Sequence, residues 1–406
     1  QAAEVARRLL ANEEAIRALN RALALLGQLP ESRERDREEL ALQQALTRPL
    51  TAARGYSSAA LEAASSRVGL LARRLGEAEA ICASALVLGS VHFVRGNIRR
   101  ALDQAHEAGR LAEGQPVWVR HADWALGGYS ISSGEPRAGV TALGRSLAGY
   151  DPRDPVVTVN GTDLGVFGYS WAAHGWWLLG RPGRALAFHD RAVNLARALQ
   201  DPFSLTLADA YGAILHQMRG DRERALACSA EAIELSDRFG FVYYRDWAAI
   251  VSGWSDGGPA GIARIRAGLD RLQALDVGTR RPYYLGLLAE TCLREGQAGE
   301  ARAILDAALA TAAHNEDRWW TPELHRLLGD LLGSEEHLLA ALDAARAQES
   351  RALELRAALS LARSWQRQGR AREARDLLAP ACASFGDSLD TPDLQSARRL
   401  LPALAG

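Results

Sequence analysis

The sequence predicts an all-α fold, a solenoid of about nine stacked helix-turn-helix units. Three observations carry that expectation. A glycine is followed by alanine five residues on and by a second alanine seven further, at Gly96/Ala101/Ala108, Gly180/Ala185/Ala192, Gly220/Ala225/Ala232, Gly296/Ala301/Ala308 and Gly369/Ala374/Ala381, with looser copies at Gly134/Gly139/Ser146 and Asp256/Gly261/Gly268. Another small residue precedes most of these turns by seven: Gly89, Gly127, Ala173, Ala213, Ala289 and Ala362. The turn glycines themselves recur at 96, 134, 180, 220, 257, 296, 333 and 369, roughly forty residues apart.

The physical reading is direct. A glycine ends one helix in a left-handed conformation that other residues resist. Small residues seven apart share one helix face, two turns from each other, and let a neighbouring helix come close. A unit of this size cannot bury a core alone, so the units must stack.

Taken in order, residues 1–30 read as a shortened first unit, a helix pair cut short around Ala15 and Ala22. An uncapped end unit and a start without methionine lead us to expect further protein upstream. The alternating charges of "ESRERDREE" read as a solvated helix start with Ser32 as N-cap. The repeat solenoid runs from 31 to 389, and "DTPDLQSARRLLPAL" closes it as a capping helix within 390–406, with Thr391 or Asp390 as N-cap and Pro392 in the first turn. Residues 149–166, with two Asp-Pro pairs and an Asn-Gly, read as an ordered extended loop. In "DRWWTPELHRLL" we expect Thr321 as N-cap, Pro322 in the first turn, Trp319 and Trp320 wedged in the joint between units, and His325 against the neighbouring helix. The unit's register is open between Gly329 and Gly333.

Composition removes whole classes of chemistry. All 48 basic residues are arginine, so no Schiff base, phosphate-loop lysine or lysine base exists. The net charge of −1 gives no field to hold a polyanion, and direct nucleic-acid binding is not expected. Cys82, Cys228, Cys292 and Cys382 form no CxxC pair, which fits a reducing cytoplasm and neither a disulfide framework nor a zinc site. No apolar run approaches the ~18 residues that span a bilayer, and no signal peptide opens the chain. No nucleotide-binding loop, HExxH, nucleophile elbow or calcium loop occurs, and the histidines show no i,i+4 pair. The reading expects no enzyme activity, no cofactor and no metal.

Glycine, alanine and alanine at these offsets, with a ring four before the turn (His92, Trp176, His216, Trp365), resemble the tetratricopeptide repeat. Longer stretches, "GYSWAAHGWWLLGRPGRALAFHDRAVNLARAL", "RPYYLGLLAETCLREGQ" and "SRALELRAALSLARSWQRQGR" among them, resemble the C-terminal repeat region of bacterial STAND-type signalling ATPases, which carry adenylate-cyclase-like or helix-turn-helix domains. The resemblance covers roughly residues 12–404. It departs at Asp163-Leu164-Gly165, where the family shows Asp-Pro-Gly.

That resemblance implies a right-handed superhelix whose first helices line a concave groove, and a sensor or scaffold rather than a catalytic part. Counting the family's groove positions back from each turn assigns His121, Trp124, Phe167, His174, Trp177, Tyr243, Tyr283, Glu290, Glu323, Arg326, Arg356 and Arg363 to a partner-binding groove. Its aromatic middle suits an apolar peptide side chain and its arginines a carboxylate. The expected partner is a protein or peptide, including upstream domains of the same polypeptide. The alternative is a small-molecule effector held by His121, Trp124, His174 and Trp177 that controls a nucleotide switch. Trp and Tyr at helical spacing are more often core than site; Trp171, Trp176, Trp247 and Trp365 are assigned to the core.

Overall fold

A computed structural model describes residues 2–153, 163–385 and 391–404. Among them every regular element is a helix. α1 (Ala2–Leu26) precedes nine consecutive pairs: α2 (Arg33–Arg54) with α3 (Ala59–Leu75), α4 (Ala78–Val94) with α5 (Ile98–Leu111), α6 (Pro116–Ser133) with α7 (Pro136–Leu147), α8 (Leu164–Leu178) with α9 (Pro182–Leu199), α10 (Pro202–Met218) with α11 (Arg222–Phe239), α12 (Val242–Asp256) with α13 (Gly258–Ala274), α14 (Arg281–Arg294) with α15 (Ala298–Asn315), α16 (Thr321–Leu332) with α17 (Glu335–Ala347), and α18 (Arg351–Arg367) with α19 (Ala371–Ala383). α20 (Pro392–Ala403) closes the array. The chain is an all-α solenoid of tetratricopeptide-like pairs.

All eight predicted turn glycines adopt positive φ, between 63° and 95°. The alanines that follow them, such as Ala101, Ala108, Ala225 and Ala232, are fully buried between helices. Where glycine replaces alanine the backbones touch: a Cβ on Gly261 would lie 2.3 Å from the Gly253 carbonyl oxygen. In the α16–α17 unit the turn is Gly333, while Gly329 packs on Leu338. Ser32 and Thr391 cap their helices as expected, accepting from Arg35 and Leu394.

Three expectations differ. α1 is one continuous helix of 25 residues, not a shortened pair, because its alanine- and leucine-rich sequence contains no breaker. α16 starts at Thr321 with Trp320 in the cap position, and the Thr321 hydroxyl bonds nothing. Of the 149–166 loop, residues 154–162 lie outside the described residues. Its far end is anchored: Asp163 caps α8 through Val166 and accepts from the Tyr150 hydroxyl at 2.7 Å.

Successive turns of the superhelix meet along a seam. The amides of Gly278 and Thr279, just before α14, donate to the Val94 carbonyl at the end of α4, at 2.9 and 3.1 Å. Arg318 and Trp319, before α16, donate to Ser132 near the end of α6. Ser350, before α18, donates to Leu178 at the end of α8. Pro392 of α20 approaches Gly220, just past α10, and α1 touches α11. Each contact joins helices ten apart in order, so one superhelical turn contains five pairs. Helix C-termini leave carbonyls unpaired, and here the next turn of the superhelix satisfies them.

Candidate functional site

Five pairs per turn leave a narrow axis, and side chains fill it. The first helices of successive pairs send Phe93, Tyr129, Trp171, Tyr211, Tyr244 and Trp247 inward. Their rings touch edge-to-face or stacked, as Phe93 does with Tyr129 at 4.7 Å and Trp171 with Tyr211 at 5.4 Å. Arg280, from the loop before α14, plugs this cluster while only 1% exposed. Its guanidinium carbon lies 4.8 Å from the Trp171 ring centre, 5.1 Å from Tyr211 and Trp247, and 5.4 Å from Trp319. A desolvated cation among four ring faces is held by their quadrupoles. Arg280 adopts a left-handed φ of 59°, and its amide donates to the Asp317 carboxylate at 2.6 Å. Burial, opposed by Arg280, raises the Asp317 carboxyl to about 6.

The axial packing leaves a pocket of about 40 Å³. Trp124, Phe167, Tyr243, Trp247, Tyr56 and Val94 are among its walls. Two buried indole N–H groups in that wall, of Trp124 and Trp247, have no hydrogen-bond partner in the chain. Val94 joins pocket to seam: it lines the one, and its carbonyl ties the other.

Of the residues expected to line an open groove, all but Arg363 are buried or half-buried. His121, His174, Trp177, Tyr283 and Glu323 are buried in the filled axis or its flanks, and Trp124 is only 9% exposed. Phe167, Tyr243, Glu290, Arg326 and Arg356 are half-buried, and Arg363 is exposed. The reason is the small number of pairs per turn, which brings opposite walls into contact. Trp124, Phe167 and Tyr243 do meet at the pocket; His121, His174 and Trp177 do not line it. The His174 Nε2–H donates to the Tyr211 carbonyl at 2.8 Å, so that ring orders the axis instead. Burial lowers the His121 and His174 pKa values, His121 to about 4.

The charged residues already pair with one another. Arg326 forms a two-pronged contact with Glu323, at 2.7 and 2.9 Å, and reaches Asp330 at 2.7 Å. Arg356 bonds Asp393 at 2.9 Å and the Met218 carbonyl, and lies over the Trp177 ring at 5.1 Å. Glu290 accepts from the Trp254 indole at 2.8 Å. Trp319 and Trp320 do sit in a joint, packed on Tyr283, and Trp320 reaches Trp177 of the previous superhelical turn. His325 faces the neighbouring helix, with its Nδ1 3.2 Å from that of His337. Trp171 and Trp247 are core; Trp176 and Trp365 are half-buried under Arg184 and Arg370.

Fold and site together define a helical-repeat scaffold with a filled aromatic axis. No protein-family model matches the chain, and no curated protein matches it. Among solved structures it is similar to a Rap protein complexed with competence and sporulation factor, at 14% identity and a TM-score of 0.45, over 100% of both chains. It is also similar to a STAND protein with a tetratricopeptide repeat sensor from Pyrococcus horikoshii, at 13% identity and a TM-score of 0.46, covering 91% of this chain and 54% of that one. Aspartyl phosphate phosphatase F from Bacillus subtilis follows, at 9% identity and a TM-score of 0.45, over 89% of this chain and 97% of that one. The fold assignment rests on the chain's own helix pairing. No helix among the described residues is long and apolar enough to cross a membrane.

Proposed function

We propose that the chain is a non-catalytic sensor or scaffold region of a multidomain regulatory ATPase of the STAND type. It binds a protein or peptide partner through one apolar anchor side chain, which enters the axial pocket beside Trp124, Phe167 and Tyr243. The observation that supports this is the double role of Val94. Filling the pocket pushes on the residue whose carbonyl holds Gly278 and Thr279, so occupancy is read as opening or closing of the superhelix. A peptide laid along the whole inner face is not part of this reading, because that face is already packed.

A library of short peptides, randomised at each position, tests it. Binders are expected to share one bulky apolar residue and to lose at least about tenfold in affinity when Phe167→Ala removes part of the wall. Binders without such a residue, or indifferent to the substitution, overturn the anchor. The regulatory setting requires a nucleotide-binding loop elsewhere in the same polypeptide; a full-length sequence without one removes that part.

The unpaired indole N–H groups of Trp124 and Trp247 favour a second reading, a small apolar effector that brings a hydrogen-bond acceptor. Aromatic carboxylic acids, with indole-3-acetate as probe, are then expected to raise the melting temperature of the wild type and not of Trp124→Phe, which lacks that N–H. Equal shifts in both would rule it out.

A further inference from the structure

In α9, α10 and α11 a second cluster has no place in the function just described. His189 of α9, His216 of α10 and Cys228 of α11 turn toward one another. Their ligand atoms all lie within 4.8 Å of each other. Both histidines are buried and the cysteine is half-buried. We propose that His189, His216 and Cys228 bind one zinc ion, or a comparable borderline dication, with a water completing the tetrahedron. Two imidazoles and a thiolate are the donor set such a cation selects over magnesium or calcium.

The surroundings suit it in two ways. Gly212, one helical turn before His216, makes room for the His189 ring: a Cβ there would stand 2.3 Å from its Cε1 and 3.0 Å from its Nε2. Any other residue at 212 would push that ring out of the cluster. Asp209 lies on the same face of α10, is 3% exposed, and has one carboxylate oxygen without a partner. Burial raises the Asp209 carboxyl to about 8, and a dication at the cluster would favour its charged form.

The Nδ1 of His216 accepts from Arg219 Nη1 at 3.0 Å, and Arg219 lies 3.7 Å from Asp221 Oδ2. Ligation through Nε2 needs the ring proton on Nδ1 and Arg219 turned toward Asp221 instead. Burial already keeps both imidazoles neutral, the form that ligates, with His216 lowered to about 3. Burial, then Asp209 and Glu231, raises the Cys228 thiol to about 12, so coordination releases its proton to solvent as the sulfur–metal bond forms.

The ion would tie two adjacent pairs together, α9 to α10–α11, next to Tyr211 of the axial cluster. This site stands independently of the peptide reading, since none of its ligands lines the pocket.

The test uses the whole chain. Purified protein is expected to carry one zinc per chain by elemental mass spectrometry. After zinc removal, one equivalent of cobalt(II) is expected to give a thiolate charge-transfer band and the intense visible bands of tetrahedral cobalt. Cys228→Ser abolishes the charge-transfer band, and Cys382→Ser leaves it intact. His189→Gln provides a second ligand variant should Cys228→Ser fail to fold by circular dichroism. No cobalt band in the wild type, or a band that survives loss of Cys228 or His189, overturns the site.

Discussion

Asp317 is a fully buried carboxyl that accepts from the Arg280 amide, and its properties decide how the plug responds to pH. Its folded pKa of about 6 lies above the ordinary aspartate value of 3.8. Folding therefore favours the protonated form, and between these two values the native state holds more protons than the unfolded one. Stability from this residue falls as pH rises from about 4 to about 6 and stays low above that, by about 3 kcal/mol in all. Asp317→Asn keeps an acceptor for the Arg280 amide and loses the titration. Urea unfolding at pH 4, 5, 6 and 7 should then show the variant gaining on the wild type by about that amount across the series. A difference that does not change with pH would mean that Asp317 does not titrate in a buried site. The Arg280 plug itself could not be read from "DVGTRRPYY", where it sits in a loop beside a second arginine with no periodicity to mark it. The His189, His216 and Cys228 cluster was equally hidden, because its members come from three helices and only packing brings them together. Spacing within any one helix carries no trace of it.

At the scale of the element, the turn glycines and the small residues behind them were legible because they obey local rules of helix termination and close approach. The seam was not, because it joins helices ten apart. Its contact at Gly278 depends on the absence of a side chain: a Cβ there would lie 2.3 Å from the Arg95 carbonyl oxygen, and that atom is backbone with little freedom to yield. Gly144, inside α7, meets nothing within 4 Å. The two glycines should therefore respond to alanine with opposite sign. Gly144→Ala is expected to stabilise by about 0.5–1 kcal/mol through helix propensity. Gly278→Ala is expected to lower the melting temperature, because the α4 end and the α14 start must separate. Thermal melts of the two variants decide this, and a neutral Gly278→Ala would show that the seam gives way freely. The burial of the expected groove residues was hidden for a related reason. Nothing local states how many pairs complete a turn, and that number decides whether the inner side is open.

Across the whole molecule, the five-pair turn changes what kind of solenoid this is. In an array whose units touch only their neighbours, stability is a sum of local terms and loops between units open one at a time. Here the loops before α14 and α16 hold the ends of α4 and α6, so local opening in one turn requires release of the other. The amides of Gly278, Thr279, Arg318 and Trp319 all donate across the seam. They should therefore exchange with deuterium as a group, and slowly for residues in connecting loops. Gly278→Val, a larger insult than alanine, should release Gly278 and Thr279 first. It should then weaken Arg318 and Trp319, because Arg280 and Trp319 pack against each other inside the axis. Amides in the middle of α10 should keep their protection. Hydrogen exchange that shows four unrelated rates, or leaves Arg318 and Trp319 unchanged in the variant, would reduce the seam to a set of independent contacts. It would also remove the route by which an occupied pocket at Val94 is felt one superhelical turn away.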